Sequence, residues 1–168
     1  MMERFYFDTK MNISDTGEIS GVAWQFGSPD RIGDVIQKGA FSGTRMPLPI
    51  LFSHDQSDPI GIWTEASEDA NGLNVKGTLL INEVARAREV HALVKAGAVR
   101  GLSIGFISKK SAGRRGVGRT ISDLQLMEVS LVTVPMHPGA RVTSAKSAVQ
   151  ALGIAEAINR AAAHFAAR

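Results

Sequence analysis

The chain has 168 residues, of which 44% are hydrophobic and 21% are charged, and its formal net charge is +3 at pH 7. This length and composition suit one globular domain with a buried core. No apolar run approaches the roughly 20 residues that a membrane span needs. The absence of cysteine excludes disulfides, thiolate metal ligands and a thiol nucleophile. The charge is too small and scattered to indicate specific nucleic-acid binding. The N-terminus also lacks the pattern of a signal peptide, so we expect a cytoplasmic protein.

The first half of the chain has the pattern of short β-strands separated by turns. The strand-like runs are rich in aromatic and β-branched residues, and two turn sequences, Asp15–Gly17 and Asp69–Gly72, separate them. Short strands at this spacing favour a barrel or a sandwich over a βαβ fold. The predicted strands are 4–8, 18–26, 60–63 and 73–79.

One segment in the middle of the chain has helical periodicity. Between Asn82 and Lys95, apolar residues recur three or four positions apart, which predicts a helix. Asn82 is the predicted N-cap. Gly97 follows the segment, as glycine commonly does after the last helical turn. The helix leads almost directly into Gly101–Phe106.

A basic, glycine-rich segment, Lys109–Arg119, follows the run after the helix. It is predicted as a loop, and its simplest role is a solvated connection. Because arginine holds carboxylates and water in a defined geometry, a substrate-binding or oxyanion-assisting loop is an alternative. Binding to single-stranded nucleic acid is less favoured, since no aromatic residues lie between the arginines.

The composition changes after Pro138, which predicts three parts. Residues 1–138 form the main domain, and the small, polar residues 139–147 form a linker. Residues 148–168 are alanine-rich with one apolar stripe, which predicts a C-terminal helix that buries this face against its own domain, a second subunit or an assembly partner.

Three polar residues, His54, Ser103 and Glu128, each stand within an apolar, strand-like run. A serine hydroxyl needs a base to accept its proton, and imidazole is suited to this at neutral pH. A carboxylate fixes the imidazole tautomer and stabilises the imidazolium. The three residue types therefore match a serine hydrolase triad.

Each of the three also has a structural alternative. His54 suits the half-buried end of a strand, and Ser103 suits a small residue on one face of a strand. Glu128 is harder to explain this way, because it is the only charge in a strongly apolar strand. A buried carboxylate is costly without a partner, so we expect Glu128 to have one.

Other residues compete for these roles. Ser130 shares the face of Glu128 if the segment is a strand, so it is an alternative nucleophile. Ser53 and Asp55 flank His54 and would point away from it, and the remaining histidines are weaker candidates for the base: His91, His137 and His164. A metal site built from His54, Asp55, Asp58 and Glu128 would lack a compact ligand motif. We therefore predict no metal and no cofactor.

Taken together, several segments resemble the caudovirus prohead proteases of the HK97 type. The resemblance covers about residues 18–142, and it departs from the family pattern at His137, where asparagine or another small polar residue is expected. The blocks that carry it are Gly33–Phe41 with its terminal Gly-Ala-Phe, Leu48–Asp55 around the histidine, Ile60–Trp63, Gly101–Phe106 after the helix, and Glu128–Pro135 with Pro138 and Ala140.

The resemblance implies an α+β, mainly β fold like that of the herpesvirus assembly proteases, a small antiparallel β-barrel flanked by helices. It implies a serine endopeptidase with Ser103 as the nucleophile, His54 as the base and Glu128 as the third member, a position that a second histidine occupies in the herpesvirus enzymes. Arg114 and Arg115 resemble an arginine pair that assists the oxyanion in those enzymes. Here, however, the pair lies between Ser103 and Glu128 in chain order.

The resemblance also implies a biological setting. Such a protease works inside an immature procapsid in the host bacterial cytoplasm. It cleaves a scaffold protein, or a scaffold-like segment of the major capsid protein, and often itself. By analogy, a homodimer is compatible with this function, and no membrane is involved.

Two other functions fit parts of the pattern. A catalytically inactive assembly or scaffold-binding module of the same fold would not need the three polar residues. Gly101–Gly105 has the Gly-x-Ser-x-Gly spacing of common esterases. That motif requires a helix after the serine, whereas here the predicted strand continues.

Overall fold

The computed structural model describes residues 13–142, and these form one sheet and one helix. Residues 13–142 contain no helix with the length and hydrophobicity of a membrane span. The elements are β1 (Glu18–Gln25), β2 (Val35–Ile36), β3 (Leu48–Phe52), β4 (Pro59–Glu68), β5 (Gly72–Leu79), α1 (Ala85–Ala96), β6 (Gly101–Gly113), β7 (Arg119–Val132) and β8 (Arg141–Val142).

The sheet closes on itself into a barrel. Its order is β7-β3-β4-β5-β1-β8-β6, and β6 pairs with β7 to complete the ring, while β2 adds to β7 from outside. The pairings are antiparallel except for β3 and β2, which each run parallel to β7. The predicted mainly β barrel is therefore confirmed, with the parallel β3–β7 pair as an addition that the sequence did not indicate.

The alternating pattern of the strands fills the interior of the barrel with apolar side chains, as expected for a small closed sheet. Both tryptophans, Trp24 and Trp63, are buried within it. The Trp63 indole nitrogen donates a hydrogen bond to the Val129 carbonyl oxygen at 2.9 Å. This contact links β4 to β7 at the residue that follows Glu128.

The predicted turn at Asp69–Gly72 joins β4 to β5 as a hairpin. The Asp69 carboxylate accepts hydrogen bonds from the backbone N–H groups of Asn71 at 2.6 Å and Gly72 at 2.9 Å. A short acidic side chain that bonds to the backbone two residues later is a standard way to build such a turn. This turn sets the β4–β5 register that builds one wall of the barrel.

The helix is present, but its predicted N-cap is wrong. α1 begins at Ala85 after Val84, and no side chain caps its N-terminus. The Leu80 carbonyl accepts the N–H groups of Glu83 and Val84, so a turn that continues from β5 satisfies these donors before the helix starts. Gly97 ends the helix in the left-handed conformation, as predicted.

The basic segment 109–119 is shorter as a loop than predicted. β6 extends to Gly113 and β7 starts at Arg119, so the connection is 114–118. Strand pairing continues from Ala112 to Thr120 and from Gly113 to Arg119. Near its base, Arg119 and the buried Asp34 form an ion pair at 2.6 Å, and this pairing lowers the pKa of Asp34.

The barrel extends into the segment predicted as a linker. Ala140 and Val142 are buried, and β8 pairs with both β1 and β6. The first residues after Pro138 therefore belong to the folded domain. The predicted strand at 4–8 and the predicted C-terminal helix at 148–168 lie outside the described residues.

Candidate active site

His54 lies just beyond the end of β3, in a turn rather than within a strand as its sequence suggested. Ser53 and His54 both have positive φ angles, 52° and 63°, which are unfavourable for residues other than glycine. The turn is held by the Ser53 N–H, which donates to the Leu131 carbonyl at 3.0 Å, and by the Asp55 N–H, which donates to the Phe52 carbonyl at 3.1 Å. It projects a side chain that is 44% exposed.

Ser103 and Glu128 face His54 because of the β6–β7 register. Ser103 pairs with Ser130, and Gly105 pairs with Glu128. Residues opposite each other on antiparallel strands, and residues two apart on one strand, project to the same face. The register therefore brings the Ser103 hydroxyl and the Glu128 carboxylate together on one side of the sheet.

His54 hydrogen-bonds to both residues at once. Its Nε2 atom is 2.9 Å from Ser103 Oγ, and its Nδ1 atom is 2.7 Å from Glu128 Oε1. Ser103 is 5% exposed, and the Glu128 side chain is 10% exposed. The structure thus brings the three predicted residues together as hydroxyl, imidazole and carboxylate, with the imidazole between the other two.

Glu128, which the sequence analysis expected to have a partner, has a second one besides His54. Ser130 Oγ donates to Glu128 Oε2 at 2.7 Å. Ser130 is fully buried, and its hydroxyl also accepts the His54 backbone N–H at 3.1 Å. Sequence placed Ser130 on the face of Glu128 but gave no signal for its contact with His54, because that contact requires β3 to lie beside β7.

A small pocket adjoins Ser103. Ser103 is part of its wall, and most of its lining residues are apolar; the three polar ones are Asp30, Ser103 and His137. Its lining residues are Ala23, Trp24, Asp30, Leu102, Ser103, Ile104, Phe106, Met136 and His137.

His137, the residue that departs from the family pattern, is a buried structural residue of this pocket wall. Its ring lies 4.4 Å from the Trp24 ring. Nδ1 accepts the Gly139 N–H at 3.0 Å, and Nε2 lies 3.2 Å from the Ser28 carbonyl. These bonds fit the neutral tautomer with the proton on Nε2, and burial lowers the pKa of His137.

Arg114 and Arg115 lie at the tip of the β6–β7 hairpin, and both are exposed. Arg114 Nη1 donates to the Gly33 carbonyl at 2.8 Å, and the Arg114 N–H bonds to Gly118. Neither of these hydrogen bonds reaches Ser103, His54 or Glu128. The oxyanion role of the pair stays a prediction.

The competing residues have other partners. Asp55 accepts hydrogen bonds from Ser57, whose hydroxyl lowers the pKa of the Asp55 carboxyl. Asp58 pairs with Arg86 at 3.2 Å, and His91 Nε2 lies 2.8 Å from the Ser14 carbonyl. Across 13–142, no cluster of three or more His, Asp or Glu side chains is arranged to hold a metal ion. His164 lies outside the described residues.

Three curated phage proteins are similar to the chain. A capsid polyprotein of Pseudomonas phage PAJU2 is 37% identical over 136 residues, covering 77% of this chain and 20% of that protein. The prohead protease of Enterobacteria phage HK97 is 31% identical, covering 78% of this chain and 61% of the relative. The prohead protease of Escherichia phage T5 is 34% identical, covering 71% and 59%. The chain thus spans about three fifths of the two proteases' length.

The fold has a solved counterpart. The crystal structure of KSHV protease in complex with a hexapeptide phosphonate inhibitor aligns with a TM-score of 0.52 at 15% identity, covering 74% of this chain and 62% of that one. This similarity confirms the herpesvirus-protease-like fold that the sequence blocks implied.

The sequence profile of the caudovirus prohead serine protease family matches residues 6–153. This match includes every residue of the barrel and all three members of the hydrogen-bonded set. The chain belongs to the caudovirus prohead serine protease family.

Proposed function

We propose that this chain is a serine endopeptidase in which Ser103 is the nucleophile, His54 the general base and acid, and Glu128 the residue that orients His54. The observation that carries the proposal is the continuous hydrogen-bonded series from Ser103 Oγ through both ring nitrogens of His54 to Glu128 Oε1. Nucleophile, base and orienting acid in hydrogen-bond contact are the geometric signature of nucleophilic catalysis.

In the first half of the reaction, His54 Nε2 takes the Ser103 proton as Oγ attacks the scissile carbonyl carbon. The carbonyl π electrons move to oxygen and form a tetrahedral oxyanion. When this intermediate collapses, the C–N bond breaks and His54 gives its proton to the leaving amine. The products of this half are a free amine and an acyl ester on Ser103.

The second half repeats the sequence with water. His54 Nε2 deprotonates a water molecule that attacks the ester carbonyl, and the proton then returns to Ser103 Oγ as the C–O bond breaks. Throughout, Glu128 Oε1 accepts a hydrogen bond from His54 Nδ1–H, and the proton stays on Nδ1. This bond presents the lone pair of Nε2 to Ser103 and stabilises the imidazolium.

The oxyanion is expected to be stabilised by backbone N–H groups near Ser103. The assisting role of Arg114 and Arg115 belongs to the same proposal and is tested by replacing both with alanine. A loss in kcat of about 100-fold or more would support this role. A wild-type kcat would show that the two arginines do not assist the oxyanion.

The family and its relatives suggest the substrate. Two similar proteins are named prohead proteases and a third is named a capsid polyprotein, which supports the major capsid protein, or a scaffold protein, as the substrate. The site of action would be the immature procapsid in the host cytoplasm. Residues 143–147 are small and polar, which makes them a reasonable self-cleavage segment.

Co-expression with the major capsid protein of the same phage tests this proposal. The wild-type chain is compared with Ser103→Ala, and both proteins are read by intact mass. Truncation with the wild type alone is expected, and its mass gives the cleavage site. A matched control, Ser122→Ala, removes a β7 hydroxyl that bonds to Lys110 and should cleave normally.

Truncation by Ser103→Ala as well would contradict Ser103 as the nucleophile. If neither protein cleaves the capsid protein, the assay is repeated with the phage scaffold protein. Absence of cleavage there too would favour the alternative of an inactive assembly module. A truncation near residue 145 in the wild-type chain alone would identify self-cleavage.

A further inference from the structure

Ser130 contacts both His54 and Glu128, the proposed base and the residue proposed to orient it. It is fully buried on β7, two residues after Glu128 and directly opposite Ser103. Its Oγ atom is 2.7 Å from Glu128 Oε2 and 3.1 Å from the His54 backbone nitrogen. One hydroxyl therefore touches the proposed acid and the backbone of the proposed base.

The direction of these two hydrogen bonds follows from the groups themselves. A backbone N–H only donates, so Ser130 Oγ must accept from His54. The single hydroxyl proton is then free to donate to the Glu128 carboxylate. Within residues 13–142 the Ser130 hydroxyl has no hydrogen bond to the His54 imidazole, and its proton points to Glu128 instead.

The contact with Ser130 means that both oxygens of the Glu128 carboxylate have a hydrogen-bond partner. Oε1 receives His54 Nδ1–H, and Oε2 receives the Ser130 hydroxyl. Without Ser130, the buried Oε2 atom would lose its partner, which is costly for a charged group. The carboxylate would then be free to rotate away from the imidazole.

The contact with His54 stabilises an unfavourable turn. Parallel pairing of β3 with β7 matches Leu51 to Ser130 and Phe52 to Leu131. Beyond the last pair, the Ser53 N–H bonds to the Leu131 carbonyl and the His54 N–H bonds to Ser130 Oγ. The Ser130 hydroxyl thus adds one hydrogen bond beyond the last strand pair. This bond helps to hold His54 at its unfavourable φ of 63°.

We infer that Ser130 is a positioning residue that holds the Glu128 carboxylate and the His54 backbone in the geometry that activates Ser103. This inference rests on the proposed function. In this role Ser130 does not contact the substrate, and it neither gives nor takes a proton during the reaction. Its effect should therefore be on the rate of reaction at Ser103 rather than on binding.

The test measures labelling of the full chain by a fluorophosphonate, which forms a covalent bond with an activated serine and needs no knowledge of the natural substrate. Intact mass gives the labelling rate at several probe concentrations, from which kinact and KI are separated. Ser130→Ala should lower kinact by about 10- to 100-fold and change KI by less than about threefold. Ser122→Ala is the matched control on the same strand.

A double-mutant cycle separates positioning from simple packing. If Ser130 acts largely through Glu128, Ser130→Ala should cost much less in a Glu128→Ala background than in the wild type. An equal cost in both backgrounds would overturn the assignment through Glu128. A wild-type kinact for Ser130→Ala would overturn the inference as a whole.

A second pair keeps the test decisive if Ser130→Ala does not fold. Ser130→Thr and Ser130→Val have nearly the same shape and differ in the hydroxyl. Ser130→Thr should label at least tenfold faster than Ser130→Val if the hydroxyl is what matters. Equal rates would overturn the inference.

The inference and the proposed function fail in different ways. If Ser103→Ala abolishes labelling and Ser130→Ala does not slow it, the proposed function stands and the inference is wrong. If Ser103→Ala still labels and Ser130→Ala does not, Ser130 is itself the nucleophile and both are wrong.

Discussion

Gly105 lies directly opposite Glu128 in the β6–β7 ladder, and the Glu128 carboxylate occupies the space where a side chain at Gly105 would begin. A Cβ atom built on Gly105 would be 2.3 Å from Glu128 Oε1, which is the oxygen that bonds to His54. Because Gly105 has no side chain, the Glu128 carboxylate can reach the His54 imidazole.

Gly105→Ala should displace the carboxylate and slow the reaction. We expect kcat to fall by about 10- to 100-fold, because the hydrogen bond from His54 to a charged acceptor is lost or lengthened. Gly113→Ala is the control, since it lies on the same strand and a Cβ there meets nothing within 4 Å. Equal activity of the two variants would show that Glu128 does not need its present position.

The turn at Ser53 should tolerate glycine and resist β-branched residues. Ser53 is exposed and has a φ of 52°, so substitution changes backbone strain more than packing. Ser53→Val should lower the free energy of unfolding by about 1–2 kcal/mol. Ser53→Gly should change it little, because relief of strain and added freedom of the unfolded chain oppose each other.

Urea unfolding measures both variants, with Gln56→Val as the control at an exposed neighbour outside the left-handed region. If Ser53→Val and Gln56→Val had the same free energy of unfolding, the backbone strain assigned to this turn would be wrong.

The two buried tryptophans should respond differently to phenylalanine. Trp63 Nε1 donates to the Val129 carbonyl, whereas Trp24 Nε1 has no hydrogen-bond partner among residues 13–142. Both changes remove similar volume, but only Trp63→Phe breaks a hydrogen bond. Trp63→Phe should therefore destabilise the protein more than Trp24→Phe, by about 1–2 kcal/mol. Thermal or urea unfolding of the pair decides this, and the reverse order would contradict it.

His137 should make the protein sensitive to mild acid. Burial lowers the pKa of His137 in the folded protein, so between the folded and unfolded pKa values the unfolded chain binds more protons. Stability is therefore fully present above the unfolded value of about 6.5 and is lost as pH falls below it. Protonation of Nδ1 would also break its bond with the Gly139 N–H.

His137→Asn removes the titrating ring, and its amide oxygen can still accept the Gly139 N–H. Unfolding free energy measured at several pH values from about 8 to 5 should fall less steeply for this variant than for the wild type. Ser28→Ala, which keeps the imidazole and removes a nearby hydroxyl, should retain the wild-type slope. Identical slopes for His137→Asn and the wild type would assign the acid sensitivity to other groups.

Local sequence patterns predicted the elements whose structure depends on local interactions. The Asp69 turn and the glycine that ends α1 follow from backbone geometry within a few residues. The N-cap prediction at Asn82 was wrong because the carbonyl of Leu80, directly after β5, accepts the N–H groups of Glu83 and Val84. Likewise, strand pairing with β7 made much of the glycine-rich segment 109–119 a hairpin instead of a loop.

The sequence predicted the three residues of the candidate site, but it did not predict the residues that hold them in position. Glu128 stood out because a lone charge in an apolar strand needs a partner. The roles of Gly105 and Ser130 depend on the register of β6 and β3 against β7, which joins residues about 25 to 80 positions apart in the chain. A single sequence gives no signal for such a register, and it predicted His54 in a strand when the turn after β3 presents it.

The most direct test of the account is to locate the covalent adduct that a fluorophosphonate forms with this chain. Tandem mass spectrometry of the digested adduct should find one modified residue, Ser103, and the adduct should disappear in Ser103→Ala and form much more slowly in His54→Ala. An adduct on another serine, or labelling of Ser103 at an unchanged rate in His54→Ala, would contradict the proposal that His54 activates Ser103.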